Sequence, residues 1–296
     1  MKKTATLFFA FAIAVSAAAQ SVPTLITGTD AAALSMGGVS AALPADAFAV
    51  DNNPAAMSAS ERKFDAAATY SMWSPSAAEA TLAGIGAYYR LNDKLAFGIS
   101  GRLFLDKPYD VINISGQHTG SFSPMDIVAG LGVSYAVMPS LCVGATGRMV
   151  SSSISPDAGG AAFCADVYAS YSLGSAAVTL GVCNLGTPIS YGNDKYALPA
   201  MVKAAGSWSG FGLTAGAEVD YLFSGALMAG IGLEYGLWDI AFVRAGFHYG
   251  DPVKALPMYA SLGLGVKFFG VHIDAAFLTA SQTLGNTLMF TLGYAF

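Results

Sequence analysis

The segment from Gly285 to Phe296 restricts the possible folds more than any other. Leu288, Phe290, Leu292, Tyr294 and Phe296 alternate with Met289, Thr291, Gly293 and Ala295. Successive side chains of a strand point to opposite faces, so one face here is apolar and the other mostly small or polar. An apolar edge strand left exposed recruits other chains, and soluble proteins rarely tolerate one. A barrel closed within a lipid bilayer removes the edge, because its last strand pairs with its first.

The rest of the chain suits such a setting. Of 296 residues, 54% are hydrophobic and 11% charged, against about 25% charged in ordinary soluble domains. A helical membrane protein needs runs of roughly 18 or more apolar residues. Beyond the N-terminus, Gly, Pro or a charge interrupts every candidate run. A net charge of −5 with no lysine-arginine cluster offers no surface for nucleic acid. Cys142, Cys164 and Cys183 are too few and too widely spaced for a disulfide framework or a zinc site, and read as small buried hydrophobes.

Lys2 and Lys3 precede an apolar stretch, Ala5 to Val15, and then Ala17, Ala18 and Ala19. This is the layout of a secretory signal peptide, residues 1–19, cut after Ala19. Residues 20–62 do not alternate. Thr29 and Asp30 are capping types before a short helix that Gly37-Gly38 would end. A second candidate begins at Asp46 and stops near Asn53-Pro54, where the position before proline disfavours helix. This compact segment fits a plug inside a barrel; a loose periplasmic leader is the alternative.

Residues 63–296 read as the barrel. Strand candidates are 64–73, 78–90, 94–105, 125–138, 141–151, 162–173, 176–185, 197–208, 211–223, 226–237, 239–249, 257–269, 271–279 and 286–296. They total about fourteen, an even number as single-chain bacterial barrels require, each long enough to cross tilted. The expected fold is an all-β transmembrane antiparallel barrel with an N-terminal plug. Tight turns alternate with longer connections at 106–124, 152–161, 186–196, 250–256 and 280–285. Short periplasmic turns and longer external loops follow, with both chain ends on the periplasmic side.

Leu95, Phe97, Ile99, Ile127, Leu131, Val133, Leu262, Leu264 and Val266 fall on one parity, facing lipid. Arg102, Asp126, Arg148, Asp166, Lys203, Glu218, Asp220, Glu234, Arg244, Lys267 and Asp274 fall on the other. A charge at the lipid-facing midplane costs about 2–4 kcal/mol, so these point inward and, with both signs present, pair across the lumen. Many glycines share their parity, as a tightly filled interior requires. No catalytic, cofactor-binding or metal-ligating constellation is present: His118, His248 and His272 are scattered, and no nucleophile elbow occurs. The chain reads as a non-enzyme.

The block Asp30 to Met57, with Gly37-Gly38, Asp46 and Asn53-Pro54-Ala55, resembles the plug signature of fatty-acid-transporter-like outer-membrane barrels. Tyr70 to Pro75, Phe122-Ser123-Pro124, Ala162 to Asp166, Asn184 to Tyr191 with Leu198-Pro199, His272 to Phe277 and Asn286 to Leu292 follow in order. Together they resemble the PorV/PorQ family of the type IX secretion system. That resemblance implies fourteen strands, a plug and a carrier that binds the C-terminal signal of cargo and presents it to translocon and attachment-complex proteins. External loops would make the contacts, with Tyr109, Ile112, Phe122, Ile189 and Tyr191 as candidates. The alternative is a fatty-acid-transporter-like channel for a small hydrophobic ligand, with an apolar pocket and a lateral opening. Either protein would contact outer-membrane lipid.

Phe290, Tyr294 and Phe296 are the expected signal for insertion into the outer membrane. Phe296→Asp should lower the amount of heat-modifiable folded barrel in that membrane; unchanged folded protein on unboiled gels would refute this role.

Overall fold

The computed structural model describes residues 21–251 and 254–296; the expected signal peptide, residues 1–19, lies outside the described residues. A 3-10 turn (Pro23–Ile26) precedes three short helices, α1 (Ala31–Ser35), α2 (Ala49–Asn52) and α3 (Ala56–Ala59). Then come β1 (Phe64–Trp73), β2 (Ala80–Arg90), β3 (Leu95–Leu105), β4 (Tyr109–Ile112), β5 (His118–Phe122) and β6 (Met125–Met138). Next are β7 (Leu141–Ser155), β8 (Ala158–Leu173), β9 (Ala176–Gly186), β10 (Ile189–Tyr191), β11 (Asp194–Tyr196) and β12 (Met201–Gly210). The last are β13 (Leu213–Leu222), β14 (Leu227–Leu237), β15 (Ala241–Gly250), β16 (Tyr259–Phe268), β17 (Val271–Thr279) and β18 (Leu288–Ala295).

Fourteen of these strands close into one antiparallel barrel, while β4–β5 and β10–β11 form separate hairpins. Closure joins β1 to β18 in the register Asp65↔Ala295 through Met72↔Leu288. Lys63 and Phe64 both donate backbone N–H bonds to the Phe296 carbonyl oxygen, at 2.7 and 3.0 Å. The C-terminal strand therefore has no free edge. Its outward Phe290, Leu292 and Tyr294 are exposed, and its inward Met289 and Thr291 are buried.

One connection differs from expectation. The stretch 152–161, rich in Ser and Gly, was expected to be a long external loop. Instead β7 runs to Ser155 and β8 starts at Ala158, leaving a two-residue turn. Pairing decides this, because the ladder continues through Met125↔Ser153 on one side and Ser153↔Gly159 on the other. Ladder partners override weak strand propensity.

Residues 22–58 pack against inward-facing residues of the wall, which is shaped to receive them. A Cβ added to Gly246 would collide with the Gly37 nitrogen, and one on Gly232 with Met36. A Cβ on Gly144 would overlap the Pro54–Ala55 peptide. Backbone groups of the inner segment find wall side chains. Ser261 accepts from Gly37 N–H at 3.1 Å and donates to Ser35 O at 2.9 Å. Thr146 donates to Val50 O at 2.6 Å, Ser134 donates to Ala55 O at 3.0 Å and Thr291 accepts from Ala31 N–H at 3.0 Å. Such matching answers where the polar backbone of an irregular enclosed segment is satisfied.

Gly144→Val should destabilise the purified barrel by about 1–3 kcal/mol through overpacking, read as a lower melting temperature. Gly147→Val, whose new Cβ would meet nothing within 4 Å, is the control and should melt with the wild type.

Candidate functional site

Helix α1 begins at Asp30, whose Oδ1 accepts the Ala33 N–H at 2.7 Å. It ends where Gly37 and Gly38 take left-handed φ of 72° and 81°. At Gly37 a side chain would strike the Phe247 and Ile231 carbonyls of the wall. Asp46 Oδ1 accepts the Phe48 N–H at 2.9 Å, turning the chain into α2. Asn53 Nδ2 donates to Ala41 O at 2.6 Å and to Ser170 Oγ at 2.8 Å, and Pro54 follows against Gly144. These six residues thus shape the inner segment and its seat on the wall.

The lumen charges form three groups. In the first, Asp51 of α2 bridges Arg102 at 3.2 Å and Arg148 at 3.1 Å, and Arg148 reaches Asp166 at 2.6 Å. Each of these side chains is at most 4% exposed. In the second, Lys203 pairs with Glu218, and with Asp220 at 3.2 Å. Glu218 Oε2 also accepts the Ser40 and Ala41 N–H groups at 2.9 and 2.8 Å. In the third, Arg244 holds Glu234 and Asp274, both at 2.5 Å. His272 then links Asp274 to Asp65, which pairs with Arg62 at 2.7 Å.

Asp126 stands apart, accepting from Thr24 Oγ1 at 2.5 Å. Lys267 is half-buried, lines the lower cavity and makes no ion pair among the described residues. Pairing across the lumen is the expectation, but the wall-to-wall pairs among the described residues join adjacent or next-adjacent strands along the wall. The remainder runs through the inner segment, chiefly Asp51, which sequence reasoning did not single out. Burial opposes ionisation of Asp51, but Arg102 and Arg148 outweigh it and hold its carboxyl below the usual carboxylate range. Burial pushes the Asp30 carboxyl up. The three cysteines are free and buried. Among the described residues no group of His, Cys, Asp or Glu is arranged to hold a metal ion.

Open space is unevenly distributed. Between the inner segment and the first two charge groups remains only about 70 Å³. A cavity of mixed lining, about 200 Å³, lies below it, bordered by Asp46, Arg244, Lys267 and His272 together with Met36, Leu43, Phe48 and Phe242. At the outer end, a half-open cleft of about 380 Å³ is lined by Val22, Pro23, Phe104, Pro124, Met125, Ile154, Tyr191 and Tyr196, of which Met125 and Ile154 are exposed. Asp106, Asp126, Ser152 and Ser153 add polar atoms, and no lysine or arginine lines it. Burial, and then the neighbouring Asp126, raise the Asp106 carboxyl above its ordinary range.

The wall at β9, which borders the central space of about 70 Å³, is irregular. β9 carries a bulge opposite Asp166, with Asn184 at φ 56° and both Cys183 and Asn184 buried on the inner side. Beyond Met201↔Cys183 the β9–β12 ladder stops. Asn184 Nδ2 donates to Pro199 O at 3.1 Å, and the chain folds inward as the β10–β11 hairpin.

This corrects part of the expected contact surface. Ile189 is fully buried, because it packs in a cluster with Val22, Leu25 and Val150. Tyr191 donates inward to Ser152 Oγ at 2.7 Å. On the β4–β5 hairpin, by contrast, Tyr109 and Ile112 are exposed and Phe122 half-buried. Phe290, Tyr294 and Phe296 face outward, with Phe296 against Phe64 at 5.4 Å between ring centroids.

No protein-family model matches the chain, and no curated protein matches its sequence. Solved structures do match its fold. The toluene transporter TbuX of Ralstonia pickettii aligns with TM-score 0.67 at 14% identity, over 91% of this chain and 98% of that one. The Pseudomonas putida toluene transporter TodX gives 0.68 at 14%, over 92% and 99%. A FadL homologue from Pseudomonas aeruginosa gives 0.61 at 14%, over 92% and 98%. The chain shares its fold with these structures. The resemblance to secretion proteins of the PorV type gains no support from these similarities.

Asp51→Asn would leave Arg102 without a charged partner and weaken the hold on Arg148. Breaking a buried pair costs about 3–5 kcal/mol, so the variant should melt well below the wild type. Because the folded-state value of Asp51 is depressed, its contribution is full above the ordinary carboxylate range and lost as pH falls through the depressed value. The difference between wild type and variant should shrink on that acid limb. A pH-independent difference would contradict the assignment.

Proposed function

We propose that this protein is an outer-membrane channel for small, uncharged hydrophobic compounds, of the size of the monoaromatic hydrocarbons named for its structural neighbours. The observation that carries the reading is the outer cavity of about 380 Å³, walled by aromatic and aliphatic side chains within a FadL-like fold. Ligand sites are typically apolar clefts of about 300–1,000 Å³ with a few polar groups. Paired charges and the inner segment leave no apolar path down the barrel axis. A ligand in the outer cavity would instead leave sideways, past Leu198 and Asn184, where the β9–β12 ladder ends.

Charge narrows the class further. The cavity holds Asp106 and Asp126 without a cation, and the nearby Lys107 is engaged by Glu79 at 2.6 Å. An ionised fatty-acid carboxylate meets like charge there, whereas a neutral aromatic does not. A second reading, a carrier of secreted cargo, is favoured by one observation: Tyr109, Ile112 and Ile114 are exposed in the outer connection carrying the β4–β5 hairpin. Deletion of 109–122 would abolish co-purification of cargo under that reading and leave ligand binding intact.

Calorimetric titration of the purified barrel separates the ligand classes. Toluene should bind at neutral pH at least about tenfold more tightly than laurate, a difference of about 1.4 kcal/mol. Laurate binding should improve as pH falls and Asp106 protonates, and Val22→Asp should abolish toluene binding. Laurate binding as tightly as toluene, without pH dependence, would overturn the proposal.

A further inference from the structure

The lipid face of the barrel is not uniformly filled. A trough of about 700 Å³ runs along β1 and β2 beside the seam with β18. Its cause is a break in side-chain size along one cross-strand row. Tyr294 lies opposite Ala66, Ala66 opposite Ala87, and Ala87 opposite Ile99. Two outward alanines thus stand side by side between two large residues. On β16 the outward positions are Leu262, Leu264 and Val266, all more than half exposed, with no such gap.

One step nearer the periplasmic end, the outward residues become aromatic. Phe64 and Tyr89 are register partners, as are Tyr89 and Phe97, and Phe296 packs on Phe64. Aromatic residues of this kind sit at headgroup level in membrane barrels. Directly beyond them lie Arg62, Lys63, Arg90 and Lys94. The other periplasmic turns, at 139–140, 174–175, 211–212, 238–240 and 269–270, contain no lysine or arginine.

Arg62 is committed to Asp65, but Lys63, Arg90 and Lys94 have no carboxylate partner among the described residues. Lys63 lies over the Tyr89 ring at 5.7 Å, and the Arg90 N–H donates to the Lys63 carbonyl at 2.8 Å, so these two residues are adjacent across the ladder. The acids nearby, Glu61 and Asp93, are exposed and fewer.

We propose that this sector binds one anionic glycerophospholipid of the periplasmic leaflet. An acyl chain lies in the trough over Ala66 and Ala87, the glycerol backbone rests at the aromatic row, and the phosphate sits between the exposed Lys63 and Lys94. Charge complementarity selects an anionic headgroup over a zwitterionic one, since only the former supplies net negative charge to these lysines. The trough supplies the second requirement, an open length of wall in which an acyl chain can lie beside the cations.

Native mass spectrometry of the purified full-length barrel tests this with phosphatidylglycerol and phosphatidylethanolamine as probes. The wild type should retain one phosphatidylglycerol through detergent exchange, in about fivefold preference over phosphatidylethanolamine. Lys63→Gln with Lys94→Gln should abolish the preference. Ala66→Leu with Ala87→Leu should remove the retained lipid while leaving every charge in place. Heat-modifiability on gels identifies folded variants, and Ala68→Leu is a third way to fill the trough if the double variant does not fold. Equal retention of both lipids by the wild type, or undiminished retention by a folded trough-filled variant, would overturn the proposal.

Discussion

The structure depends on one carboxylate, Asp51, held between two guanidinium groups of the wall. Buried arginines are costly to desolvate unless paired, and Arg102 and Arg148 face a lumen from which bulk water is excluded. Asp51 comes from a short helix that has no reason to sit there on its own account. The wall needs the inner segment for charge balance, and the inner segment needs the wall for its hydrogen bonds. Arg148 extends the link to Asp166 and, through Nη1, to Asn184 at 3.0 Å. The same group of charges therefore anchors the inner segment and fixes the bulge in β9.

This mutual dependence has a consequence for transport. Wall glycines let the inner backbone approach so closely that only a small volume remains along the axis. A polar, closely filled lumen is a poor route for a hydrophobic solute. The apolar space lies instead at the outer end, where Val22 and Pro23 meet Phe104, Tyr191 and Tyr196. Val22 shares a buried cluster with Leu198, which stands where the β9–β12 ladder runs out. The filled lumen and a hydrophobic ligand are compatible once the path turns sideways rather than passing through the charges.

Much of the barrel was legible in the sequence, because a period of two persists through every membrane-crossing segment. Leu262, Leu264 and Val266 against Gly263, Gly265 and Lys267 settle a strand and both its faces without further information. The inward parity of Arg102, Arg148 and Lys203 was equally readable. Their partners were not, since Asp51 lies in a segment with no periodicity, and nothing local ties it to residues dozens of positions away. Ile189 and Tyr191 fall in a stretch that reads as an external loop, and loops usually lie at the surface. Their burial follows from the inward fold of the β10–β11 hairpin onto Gly160, a tertiary contact. The Ser-rich end of β7 misled for the same reason. The family resemblance directed attention to external loops, whereas the cavity lies beneath them.

Conductance in planar bilayers tests the central claim most directly, namely that the charge-locked inner segment closes the axis. Wild-type protein inserted at high salt should show no stepwise ion current at moderate voltage. A steady open current of the porin type would contradict the account, because it requires a continuous aqueous path where Asp51, Arg102 and Arg148 are held to meet.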